Sequence, residues 1–189
     1  MRLIRASLGA VGIAVLPLDT HEITIQDYIM MYCSKAGAAN IVGQLDATIS
    51  DLGNHIQATY SQTTTAITVT FPTAQPHTLG SAVDYVTLSG TGIVGVDGTW
   101  PVASVTNDTV LVLTSTTSQT KSGTVIATPL RTAINLIAAS TTLLITPLTP
   151  VATAALPAYT TPWSAVIFNV TTWTAGTAYL DIRQIGNAQ

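Results

Sequence analysis

Ala66-Ile67-Thr68-Val69-Thr70-Phe71 alternates large apolar side chains with alanine and threonine. In an extended backbone this puts Ile67, Val69 and Phe71 on one side, the pattern of a strand with one buried face. Pro72 and Pro76 end it, because proline cannot donate to a ladder. The same reading continues downstream through Val83–Leu88, Trp100–Val105, Val110–Leu113 and Gly123–Thr128. Turn signals separate these runs: Ser89-Gly-Thr-Gly92, Val96-Asp-Gly-Thr99 and Asn107-Asp108, Asp-Gly being a favoured hairpin dipeptide. Thr116–Ser122 reads as a polar loop. Five short strands with such turns predict a small antiparallel sheet or barrel over residues 65–128.

Outward from that module the pattern loosens. Leu3–Leu18 reads as extended, and His21-Glu-Ile-Thr-Ile-Gln26 alternates like a strand. Gln44–Tyr60 carries Leu45, Ile49, Leu52 and Ile56 at helical spacing, which predicts one short helix. Beyond the module, Leu143–Ile145 is a short apolar strand, and Ala165–Val170 with Thr177–Ile185 reads as a closing pair. Pro147, Pro150, Pro157, Pro162 and Thr160-Thr161 mark an extended connection. The fold class expected is mainly β, with at most one or two short helices. An antiparallel β-sandwich is built from residues 1–60 plus 129–189. Residues 1–64 supply an N-terminal arm and the first part of the sandwich, 65–128 the inserted module, and 129–189 the remainder.

Composition constrains function more sharply than any motif. Charged residues make up 8% of the 189-residue chain, against roughly a quarter in an ordinary soluble domain. Threonine fills the gap, with 34 copies. The surface must therefore consist largely of hydroxyls, small apolar groups and backbone. Such a surface sheds water easily and has little charge to hold copies apart. The chain is expected to work as a subunit whose exterior is covered by neighbours.

The net charge of −3 offers no electrostatic footprint for nucleic acid. Arg2 and Arg5 precede an apolar run, Ala6–Leu18, resembling the start of a signal peptide. No small-x-small cleavage site follows, and about 13 residues are too few to span a bilayer. A buried strand, or an arm docked on a partner, is the expectation, with no membrane partner. Cys33 is the single cysteine, so no internal disulfide forms.

Catalytic and metal chemistry find little purchase. His21, His55 and His77 share no metal-ligand spacing and read as surface or interface residues. Asp84, Asp97 and Asp108 fall in the module, where a calcium ion would want several such oxygens. Asp97 and Asp108 lie in turn sequences, where aspartate bonds its own backbone. Glu22 is the sole glutamate, with Asp19 and Asp27 the nearest acids, and no GxSxG elbow is present. The glycines of Gly90–Gly98 lie between strands rather than before a helix, a poor phosphate cradle. No catalytic, cofactor-binding or metal residue is assigned. Trp100, Trp163 and Trp173, with Tyr159 and Tyr179, suit either a sugar-stacking platform or core and interface packing; packing is favoured, since no amide-rich cluster accompanies them. The candidate interface residues are Leu3, Ile4, Val11, Ile13, Val15, Leu16, Trp100, Trp163 and Trp173.

The order of words in the module is itself informative. Ile67-Thr-Val-Thr-Phe-Pro-Thr-Ala-Gln-Pro-His-Thr-Leu-Gly80, Val86-Thr-Leu-Ser-Gly90, Gly95-Val-Asp-Gly-Thr-Trp100 and Val102-Ala-Ser-Val-Thr-Asn-Asp108 resemble a small β module of tailed-bacteriophage virion proteins. The resemblance covers about a third of the chain. It departs at Ser81-Ala82, where the family more often has an acidic turn residue. Trp173-Thr-Ala-Gly-Thr-Ala-Tyr-Leu-Asp-Ile-Arg183 also looks like the last hairpin of phage β-sandwich subunits. The resemblance implies a non-enzymatic virion protein, foremost a capsid decoration or cement subunit over joints between major capsid proteins. It implies a homo-oligomer, with a trimer favoured, that contacts the major capsid protein or other virion subunits. A tail, neck or baseplate component, or a fibre head that binds a receptor, is the alternative.

Overall fold

A computed structural model describes residues 2–18, 26–33, 41–74, 79–81, 83–142 and 163–185. The chain is mainly β, and no helix occurs among the described residues. Among the described residues eleven strands run in order: β1 (Arg2–Leu8), β2 (Gly12–Pro17), β3 (Gln26–Cys33), β4 (Val42–Thr48), β5 (Ile56–Thr70), β6 (Tyr85–Ser89), β7 (Gly98–Asn107), β8 (Val110–Leu130), β9 (Thr132–Thr142), β10 (Ala165–Thr172) and β11 (Ala178–Ile185). They divide between two compact units, Met1–Thr48 with Ala133–Gln189, and Ile49–Thr132.

The first unit holds two sheets, of order β1-β11-β3 and β2-β10-β4-β9. β1 to β4 alternate between the two sheets, and β10 and β11 go to different ones. The expected closing pair, β10 and β11, therefore does not pair with itself. β10 lies between β2 and β4, while β11 lies between β1 and β3. Leu16, Leu45, Val166 and Phe168 from one sheet share a core with Leu180 and Ile182 from the other. Each such side chain contributes roughly 1.5–3 kcal/mol on burial. The N-terminal segment is likewise no free arm: β1 is registered on β11 from Arg2↔Gln184 to Leu8↔Ala178, and β2 on β10 from Gly12↔Val170 to Pro17↔Ala165.

The predicted helix over Gln44–Tyr60 is replaced by two strands and a turn. Leu45 is fully buried in β4, but Ile49 is 53% exposed. Between the strands Asp51 accepts the Gly53 amide on Oδ1 (2.8 Å), and its carbonyl accepts the Asn54 amide (3.1 Å). This aspartate turn breaks the helical spacing, because its side chain offers the backbone a competing partner.

In the second unit β5 follows β8 along almost its whole length, while β8 pairs first with β7 and then with β6. β6 also pairs with β7. Ala58, Ile67, Val69, Val86, Leu88, Val102, Leu113 and Ala127 meet in one core. Two of the five expected strands, Val110–Leu113 and Gly123–Thr128, are one strand, and Thr116–Ser122 is its middle rather than a loop. Because β5 begins at Ile56, residues 56–64 belong to this unit, so the boundary falls at 48/49 instead of 64/65. At the other end it falls at 132/133 instead of 128/129.

A bulge interrupts the long pair. Thr64 faces Gln119 and Ala66 faces Thr114, so β8 carries extra residues there. Thr64 takes φ 57°. Gln62, fully buried, fills the irregularity. Its Nε2 donates to the carbonyls of Thr64 (3.1 Å) and Thr117 (2.7 Å), and its Oε1 accepts from Gln119 Nε2 (2.9 Å). Gln119 Nε2 also donates to the Val94 carbonyl (3.0 Å), and Ser115 Oγ to the Gly95 carbonyl (2.7 Å). The bulge is thus tied to the turn before β7.

Candidate functional site

The chain's surface chemistry gathers in two places, one in each unit. In the second unit, strand alternation sends Ala58, Tyr60, Val125 and Ala127 inward and leaves the intervening residues outside. Register then sets Thr59 against Thr124, Ser61 against Ser122 and Thr63 against Thr120, all exposed. Gln57 stands against Ile126, which is 42% exposed. The same face continues through Thr128, registered on Thr87, which in turn registers on Thr99. Thr128 Oγ1 is 2.9 Å from His55 Nδ1, and the hydroxyls of Thr87 and Thr99 are 2.9 Å apart. None of these rows contains an ionised residue. Lys121 registers on Gln62 and so falls on the opposite face. The result is a pleated sheet of short hydroxyls that needs little side-chain ordering when covered.

In the first unit the salient feature is its edges. Among the described residues β1 and β3 bound one sheet, and β2 and β9 the other. An uncovered edge offers a row of backbone donors and acceptors, and proteins usually guard it with lysine, proline or a bulge. β1 runs through seven paired residues without a register shift and contains no lysine or proline. Its Arg5 is turned onto the inner strand: Nε donates to Asp181 Oδ1 at 2.6 Å and Nη2 to Oδ2 at 2.8 Å. β2, Gly12-Ile-Ala-Val-Leu-Pro17, carries no charge at all.

The expected interface residues scatter between these roles. Leu3 (50% exposed) and Val11 (46%) remain on the surface, at β1 and at the turn before β2. Ile4, Trp163 and Trp173 are half-buried against the first core, Ile13 and Val15 are half-buried in β2, and Leu16 is core. Trp100 lies in the second core, with its indole N–H donating to the Val96 carbonyl at 2.7 Å. Trp173 likewise donates to the Gly176 carbonyl (3.0 Å).

The three module aspartates are not brought together by a shared partner. Asp84 is buried and accepts the amides of Gly80 and Thr132, the latter at 2.7 Å. Asp97 accepts from the Thr91 amide and hydroxyl and from the Gly92 amide (2.7 Å), as its turn reading anticipates. At 107–110 the turn is capped by Asn107 Oδ1, which accepts the Thr109 and Val110 amides at 2.9 Å. Among the described residues no group of three or more His, Cys, Asp or Glu could hold a metal ion. No helix among them is long and apolar enough to cross a membrane. His21, His77, Tyr159, Leu143–Ile145 and the expected strand before Gln26 lie outside the described residues.

The hydroxyl face was missed from sequence although its signal is present. Gln57, Thr59, Ser61 and Thr63 alternate with Ala58, Tyr60 and Gln62, but the helical spacing upstream and the buried glutamine obscured the period. Comparison of the chain with protein-family models, curated proteins and solved structures finds no match.

Proposed function

We propose that this chain is a non-enzymatic structural subunit of a tailed-bacteriophage virion, most simply a capsid decoration or cement protein acting as a homo-oligomer. The first unit is read as a sandwich of its two sheets, and the second as the inserted module. The observation that carries the reading is the charge-free hydroxyl face of β5 and β8, with Thr59, Ser61 and Thr63 beside Thr124, Ser122 and Thr120. A face of this kind has no charge to desolvate on contact, and hydrogen bonds to the backbone and hydroxyls of a neighbour offset the loss of water from its hydroxyls. Repetition over many equivalent joints would multiply modest single contacts.

The strands that border the first unit's sheets among the described residues, β1 with β3 and β2 with β9, favour a second reading, a tail or neck ring in which sheets continue from copy to copy. Imaging of virions from the phage that encodes the chain, labelled with an antibody against it, tests both. Label over the shell is the expected result. Label confined to the tail or neck would replace the first reading by the second, and absence from purified particles would remove both.

A further inference from the structure

The chain enters the second unit at Ile49 and leaves it at Thr132, and both crossings are fastened by the unit's own residues. Ser50, which is buried, accepts the Arg131 amide on Oγ at 2.8 Å, so the way in and the way out lie one hydrogen bond apart. From there β5 and β8 run side by side, starting at Ile56↔Ala127. Asp84, buried one residue before β6, fixes the exit. Its Oδ1 accepts the Thr132 amide at 2.7 Å, its Oδ2 accepts the Gly80 amide, and its carbonyl accepts the Val102 amide at 2.9 Å. Thr132 Oγ1 donates in turn to the Val83 carbonyl. A single residue thus joins the segment before β6, the strand β7 and the last residue of the unit.

The second core is equally self-contained: its buried residues, from Ala58 to Ala127, all come from within the unit. At about 80 residues the unit exceeds the size at which many domains fold alone. From this we infer that residues 49–132 are a self-latched insert, which opens and closes as one cooperative body while the first unit stays folded. Ser50 and Asp84 are its latch. An insert whose ends meet places little constraint on its host, which is why insertions of this geometry are tolerated. The inference concerns the chain alone and does not rest on the virion reading. Its consequence for contact is specific. The hydroxyl face of β5 and β8 lies wholly in the insert, so that face persists when the first unit opens.

Amide exchange of the full chain, followed across a urea series, tests this, because a cooperative body loses its slowest amides as a set. Leu113→Ala, in the second core, is expected to lower protection of β5, β6 and β8 about thirtyfold or more, while β10 and β11 change less than about twofold. Phe168→Ala, in the first core, should do the reverse, lowering β10 and β11 about a hundredfold or more. Asp84→Asn sets a side-chain donor against the Gly80 or Thr132 N–H, and should lower protection through the whole insert about tenfold. The unmodified chain gives a reading that needs no variant to fold: the slowest amides of the two units should open at separate urea midpoints. A shared midpoint, or a core variant that lowers both units together, would overturn the independent insert. An Asp84→Asn chain whose insert keeps its protection would overturn the latch.

Discussion

Arg5 and Asp181 face each other across β1 and β11 and are joined by a two-point fork, Nε to Oδ1 at 2.6 Å and Nη2 to Oδ2 at 2.8 Å. The carboxylate side chain is 6% exposed, whereas the guanidinium side chain is 56% exposed. Planar forks of this geometry are stronger than single contacts, though solvent around the arginine screens the attraction. The pair fastens the N-terminal strand to the centre of its sheet. A double-mutant cycle with Arg5→Ala and Asp181→Ala, read by urea unfolding, is expected to give a coupling of about 1 kcal/mol. A coupling indistinguishable from zero would remove the fork as a fastener.

Trp100 separates a packing role from a binding role. Trp100→Phe keeps much of the ring area but leaves the Val96 carbonyl without its indole partner, a loss of about 1–2 kcal/mol. Trp100→Ala also opens a cavity in the second core and should cost about 3–5 kcal/mol. Chemical denaturation of both variants measures the difference. If Trp100→Ala unfolds at the same denaturant concentration as the parent, the core placement is wrong.

Gly95 holds φ 84°, and a Cβ there would run into Thr117 beside the bulge. Both the left-handed backbone and the lack of space disfavour any side chain. Gly95→Ala is expected to destabilise the protein by about 2–3 kcal/mol in a thermal or urea melt. Thr117→Gly combined with Gly95→Ala should recover more of the loss than Thr117→Ala does, since the atom nearest the added carbon is the Thr117 Cβ, which alanine keeps.

Gln62 is buried by its hydrogen bonds rather than by hydrophobicity. Gln62→Leu leaves the carbonyls of Thr64 and Thr117 without this donor, and should cost about 1–3 kcal/mol despite being more apolar. Hydrogen exchange in β5 and β8 around the bulge should rise in the variant more than exchange in β6. Uniform exchange across the unit would argue against a local lock.

Removal of residues 1–18 strips β1 from β11 and β2 from β10, and takes Leu16 and Leu18 out of the first core. The truncated chain is expected to lose cooperative unfolding of that unit, bind a hydrophobic dye and aggregate. A truncated protein that melts like the full chain would restore the docking-arm expectation, in which this segment serves a neighbour rather than its own sheets.

How much of this was legible depended on range. Ile67, Val69 and Phe71 announced their strand because alternation is a local property, and Asp97-Gly98 announced a turn for the same reason. Leu45, Ile49, Leu52 and Ile56 misled because four apolar residues at helical spacing also arise where a strand, a turn and another strand follow one another. Thr116–Ser122 misled because hydroxyl residues suit loops as well as exposed strand faces. The hydroxyl face itself needed the register of β5 on β8, which places residues some 60 positions apart side by side.

By itself, the chain's composition determined a β-rich molecule with a hydroxyl exterior and almost no charge, because propensity and polarity belong to each residue separately. Only the tertiary structure decided that β10 and β11 part into different sheets, that the N-terminal strands join their own unit, and that Trp100 and Gln62 are interior. Those outcomes rest on which distant strands pair and in what register. A shift of one residue would exchange every inward side chain for an outward one.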